Sequence, residues 1–184
     1  WNPHAVVPRM SSTVVAHERG VEAARWVLER LEDGDLDRRL LLLEWVRLLL
    51  ERAPLIEPLG LKDILLRRAS DPVAEVANKV TLCLAKAIEA DRDFGHQLAL
   101  RLHEREETLV RRAMADVLTR LFRRLTWDAL PLLDDMLTSD DEGVLAAASA
   151  TVGDVKYLDK EQWADRLRQL ADHPLAIVRR NLVP

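Results

Sequence analysis

The chain has 184 residues, 48% hydrophobic and 32% charged, with a formal net charge of −4; it can bury a substantial core, and its charge argues against generic nucleic-acid binding. Aromatics are 4%, with 6 Gly and 8 Pro, while helix formers such as Leu, Ala, Arg and Glu are abundant, so an all-α protein is expected. The single cysteine, Cys83, excludes an internal disulfide framework and suits a reducing, cytoplasmic compartment.

Residues 1–17 form an N-terminal segment, with a capping helix as one option. They open with Trp1 and carry no charged, apolar and cleavable sequence of a secretory signal, so a piece of a longer protein is expected. Helical patterns then follow at 21–32, 36–52, 57–69, 72–89, 93–104, 107–124, 127–138, 142–155, 160–171 and from 174 onward. The longest apolar run, Leu40 to Leu50, is interrupted by Glu44 and Arg47 and falls short of the roughly 18 to 20 apolar residues of a membrane span. Within 107–124, Val110, Ala113, Met114, Val117, Leu118 and Leu121 share one face. Breakers separate the patterns: Gly34 and Asp35, Ser70 to Pro72, Asp140 and Asp141. Asp71, Thr126 and Asp159 are candidate N-caps, Pro72 then taking the first helical position.

A fixed step of 34 residues relates Leu42, Val76, Val110, Val144 and Val178. The same step relates Leu31, Leu65, Ala99, Leu133 and Leu167, and again Leu50, Leu84, Leu118 and Val152. Apolar columns at one period are the signature of stacked supersecondary units. The expected fold is therefore an α-solenoid of antiparallel helix pairs with a period of about 34 residues, spanning 18–184 in about four and a half units. The last unit has a shortened second helix, which leads to the expectation of further repeats or domains. Leu182, Val183 and Pro184 are given little weight, because these letters resemble the start of a common engineered protease site.

"DPVAEVANKV", "EETLVRRAMADVL", "DDEGVLAAASATV" and "DHPLAIVRRNL" resemble the second halves of HEAT repeats, which are armadillo-like: an acidic turn, Val-Arg or its equivalent, then small residues. The resemblance implies an inter-repeat ladder in which Arg111 and Arg179 take the Arg position and Asp172 the turn acid. Ala77 and Leu145 stand where other units would carry the Arg, so the ladder is interrupted. The resemblance also implies that second helices line a concave face.

No HExxH, CxxC, GxGxxG, P-loop or GxSxG motif is present, so no catalytic residue, cofactor or metal site is assigned. His96 and His103 are about two helical turns apart, too far for one metal ion, and read as surface residues. Cys83 falls on an apolar face as a core thiol. Trp26, Trp127 and Trp163 read as core packing, while Trp45, flanked by Glu44 and Arg47, is open between core and an exposed anchor. The run Val144 to Gly153 is rich in Ala and suits close packing or the floor of a peptide groove.

At the same step of 34, Arg52, Lys86, Arg120 and Asp154 form a polar column; Leu48, Leu82, Asp116 and Ala150 precede it by four. Arg112 and Arg180 occupy a further column with Glu44, Asn78 and Ala146. These cations read in two ways. One is a solvated face in which Arg112, Asp116 and Arg120 satisfy one another. The other is a basic stripe of Arg52, Lys86, Arg112 and Arg120 that holds an acidic protein segment. The leading function is a non-catalytic scaffold or interaction module with a protein or peptide partner. The chain is also similar, at this level, to HEAT-like DNA-alkylation-repeat glycosylases, for which Arg112, Asp116 and Arg120 would form the DNA site. A third reading is a structural or regulatory array inside a larger multidomain protein.

Overall fold

The computed structural model describes residues 18–182. The chain divides into two compact units, the first ending at Leu98 and the second beginning at Ala99. Among the described residues every regular element is helical.

In the first unit α1 (Glu18–Glu32) and α2 (Leu36–Leu49) form a hairpin. Ala24, Val27, Leu28 and Leu31 of α1 recur at helical spacing and are buried, as are Leu42, Leu43, Trp45, Val46 and Leu49 of α2. The Asp35 carboxylate accepts a hydrogen bond from the Arg38 amide at 3.1 Å and so caps α2. Expected as far as 52, that helix ends at Leu49, because Pro54 opens the short α3 (Ala53–Ile56). The next helix, α4 (Leu61–Ala69), starts later than its periodicity suggests. Gly60 explains this: at φ 62° it occupies the left-handed region and turns the chain just before α4.

The segment 72–89 reads as one helix but folds as α5 (Ala74–Thr81) and α6 (Leu84–Ala90). At the break, Leu82 and Cys83 donate to the carbonyls of Lys79 and Val80, three residues back, and the Thr81 hydroxyl donates to Asn78 at 2.7 Å. These bonds tighten and bend the helix locally. Pro72 does not take the first helical position, since Val73 caps α5. Asp71 instead accepts from the Val73 amide at 3.0 Å in a turn two residues long. α2 and α4 both pack against α5. The helix α7 (Arg92–His103) carries the chain through the division between the units.

The second unit contains α8 (Thr108–Leu125), a 3-10 turn (Thr126–Ala129), α9 (Leu130–Met136), α10 (Glu142–Val155), α11 (Lys160–Leu170) and α12 (Ala176–Asn181). α10 packs against α8, α9, α11 and α12. Asp141 caps α10 by accepting from the Val144 amide, and Asp159 caps α11 by accepting from Glu161 and Gln162. Thr126 is no N-cap of an α-helix; it ends α8 at φ 54°, a region that β-branched residues avoid.

The apolar columns are buried in both units. Leu42, Val76, Val110, Val144 and Val178 are each fully inaccessible. Leu31, Leu65, Ala99 and Leu133 are likewise inaccessible, while Leu167 is half-buried. The N-terminal segment 1–17 lies outside the described residues.

Candidate partner-binding surface

In the first unit two polar rungs join α2 and the turn that follows it to α5 and α6. Lys79 pairs with Glu44, and Lys86 approaches Glu51 at 3.4 Å while also reaching Glu89 at 3.4 Å. The Lys79 ammonium holds the Glu44 carboxyl below its ordinary pKa, against the opposing effect of burial, with help from Arg47 at 3.2 Å. Glu89 and Glu51 raise the pKa of Lys86, which remains a cation. Between these rungs lie Leu48 and Leu82, 52% and 53% exposed. Arg52, three residues past the end of α2, is exposed, and its side chain meets no acceptor among the described residues. Of the two basic positions the sequence singled out in this unit, Lys86 is already paired and Arg52 is open.

A second set of charges faces the turn before α5. Asp71, 3% exposed, receives Arg39 at 2.6 and 2.8 Å, Arg68 at 2.7 Å and the Val73 amide. Burial opposes its ionisation, but the amide and the two guanidiniums outweigh burial and hold the carboxyl below its ordinary value. Arg67 binds Glu32 through two bonds at 2.7 and 3.1 Å. These links between successive helix pairs escaped the sequence reading, which marked Asp71 only as a helix cap.

In the second unit, Arg112 forks onto Asp141 with three contacts of 2.9 to 3.2 Å, so it turns away from Asp116 toward the next helix pair. Asp116 and Arg120 are exposed and make no ion pair among the described residues. Asp154, in the same column as Arg120, is engaged instead by Arg123 at 3.4 Å. Beside α8, the solvent side of α10 carries Gly143, Ala146, Ala147, Ala150 and Gly153, and α12 adds the exposed Arg180. Asn181 ties α12 to α10 by donating to the Ala146 carbonyl and the Ser149 hydroxyl, each at 2.9 Å.

Of the residues that resemble a HEAT ladder, Arg111 meets Asp135 at 3.4 Å, where His103 also approaches at 3.2 Å. Arg179 donates to the carbonyls of His173 and Pro174 at 2.5 and 3.0 Å, and Asp172 lies exposed beside that turn. Burial lowers the pKa of His103 more than Asp135 raises it. Among the described residues no three His, Cys, Asp or Glu side chains gather as a metal site. Cys83 is buried, with its thiol 3.8 Å from the Leu43 carbonyl, and burial pushes its pKa up to about 12.

Two tryptophans, Trp26 and Trp127, differ from their core-packing sequence reading. Trp26 is 47% exposed under the Arg30 guanidinium, 4.5 Å from the ring centre, and Trp127 is 49% exposed. In α1 the buried stripe of residues 24, 27, 28 and 31 passes beside position 26. Trp127 sits in the 3-10 turn, whose tighter winding takes it off the α-helical face of Leu130 and Leu133. Trp45 is only 4% exposed and presents no aromatic face to a ligand. Trp163 is half-buried against the cluster of Leu145, Val152, Leu170 and Val178.

No protein-family model matches the chain, and no curated protein matches it significantly. Among solved structures, it is similar to a designed armadillo repeat protein in complex with the peptide (KR)4, at 15% identity and a TM-score of 0.60, over 97% of this chain and 89% of that one. The fold is an armadillo/HEAT-like α-solenoid. Two further engineered proteins are similar, at 17% and 16% identity with TM-scores of 0.59 and 0.53. The chain spans 51% of the first of these and 94% of the second. At these identities the likeness of the armadillo-like solenoid lies in the fold. Among the described residues no helix is long and apolar enough to cross a membrane.

Proposed function

We propose that this armadillo-like chain is a non-catalytic interaction module that holds an acidic segment of a protein partner on the solvent side of its second helices. Each unit by itself offers cations, Arg52 and Lys86 in the first and Arg112 and Arg120 in the second; of the proposed ladder residues, Arg111 reaches Asp135 of α9, while Arg179 bonds the turn before its own helix and Asp172 is exposed beside that turn. The observation that carries this reading is the openness of Arg52 and Arg120. Both are exposed cations in one repeat column, and neither is neutralised by a described neighbour.

The designed armadillo neighbour is in complex with the basic peptide (KR)4, which supports the use of such a fold as a peptide holder. The partner's charge follows from this chain's own side chains, and open arginines favour carboxylates. Lys86 and Arg112 contribute less, because each must first be released from its own carboxylates.

The test is fluorescence anisotropy with a labelled Asp/Glu octapeptide, the peptide (KR)4 and a DNA duplex, at low and near-physiological salt. Binding of the acidic peptide that weakens in Arg52→Glu and again in Arg120→Glu is the expected result. Preference for (KR)4, or indifference to both reversals, removes the acidic-partner reading; duplex binding with a steep salt slope replaces it with a nucleic-acid function.

A further inference from the structure

The exposed Leu48 and Leu82 are an unexplained feature of the first unit. The two leave half their surface in water at equivalent positions of successive helix pairs; in the second unit Leu109, near the start of α8, is the other large aliphatic of a second helix exposed to a similar degree. Their surroundings are polar but largely settled. Within about a turn of either leucine lie Arg47, Arg52, Lys79 and Lys86 on one side of the balance, and Glu44 and Glu51 on the other. Arg47 and Lys79 share Glu44, and Lys86 meets Glu51. Arg52 alone in this set makes no ion pair among the described residues.

We propose that Leu48, Leu82 and Arg52 form a docking site for an amphipathic helix of a partner protein, with two aliphatic residues seven apart and a carboxylate within a turn of one of them. This deepens and rests on the interaction-module reading above. Charge complementarity selects the carboxylate, since the only cation of the set left open is Arg52. Spacing selects the helix. Equivalent positions on neighbouring packed helices are on the order of 10 Å apart. Residues seven apart on a helix share a face and are separated by about 10.5 Å along the axis. An extended peptide returns to the same face about every 6.7 Å, so its same-face side chains fall near 6.7 or 13 Å and straddle that distance. Burying both leucines supplies apolar contact, and the rungs Glu44–Lys79 and Glu51–Lys86 flank the seat on either side.

The experiment is selection from a phage-displayed library of helical, alanine-based peptides randomised along one face, followed by anisotropy on the enriched sequences. The expected winners carry two aliphatics seven apart with Asp or Glu a turn away. Their affinity falls about tenfold or more in Leu48→Asp and in Leu82→Asp, and Arg52→Glu shifts the selected charge to Lys. Circular dichroism of each variant establishes that it is folded, as expected for substitutions at exposed positions. Winners that bind both Leu variants unchanged but lose affinity in Arg120→Glu overturn this site and leave the acidic-partner reading standing. No enrichment at all removes this site, while the acidic-octapeptide titration above decides the interaction-module reading separately.

Discussion

Arg39 donates to both oxygens of Asp71, at 2.6 and 2.8 Å, across two successive helix pairs, and the carboxylate it holds is all but sealed from water. Removing one partner of such a pair leaves the other charge desolvated, which costs more than the intact pair contributes. Asp71→Ala is expected to destabilise the first unit by about 2–4 kcal/mol, the arginines being partly solvated. A urea titration followed by circular dichroism checks this; a loss below about 1 kcal/mol would show that Arg39 and Arg68 find water instead.

The same carboxylate sets an acid limit. Its folded pKa is depressed, so its contribution is fully present above the unfolded value of about 4 and is lost as pH falls through the folded one. The melting temperature should therefore be insensitive to Asp71 above about pH 5 and decline below it. Asp71→Asn should be less stable at neutral pH and show a shallower decline as the pH falls below about 4. Parallel acid limbs in the two proteins would assign the decline to other carboxylates.

Two glycines offer opposite outcomes for one substitution. Gly60 has φ 62°, and Gly153 lies inside α10; an added Cβ meets nothing within 4 Å at either. Gly60→Ala should cost about 1–2 kcal/mol through backbone strain alone, whereas Gly153→Ala should add about 0.5–1 kcal/mol of stability. Thermal melts of the two variants decide it, and a shift of the same sign in both would refute the conformational account.

Cys83 should be silent toward thiol reagents in the folded protein at pH 7 to 8, because its buried thiol has a pKa pushed up to about 12. Ellman's reagent is expected to react fully only after denaturation. Prompt native labelling would mean that the break at Leu82 and Cys83 opens readily.

The solenoid was legible in the sequence because burial leaves one kind of letter in each column: Val76, Val110, Val144 and Val178 advertise the period without any knowledge of their contacts. Helix ends were legible where a side chain caps them, as at Asp159, and less so where a backbone conformation decides, as at Gly60 and Thr126. The ion pairs were not, since nothing within one helix says that Arg112 will choose Asp141 over Asp116 four residues away. Nor were the exposed leucines: Leu48 and Leu82 read as members of a column whose later positions, Asp116 and Ala150, are the real sign that this column faces water.

The two rungs between α2 and α5–α6 also work as a matched pair of rulers. One seven-residue step separates Glu44 from Glu51, and the same step separates Lys79 from Lys86. Sliding one helix past the other by a single turn would set a lysine against a leucine and leave a glutamate facing nothing, at both rungs together. A residue inserted between Glu44 and Glu51 would swing one rung by about 100° while the other stayed in place. Neighbouring pairs are thus keyed to one axial alignment, and length changes are best tolerated in the turns.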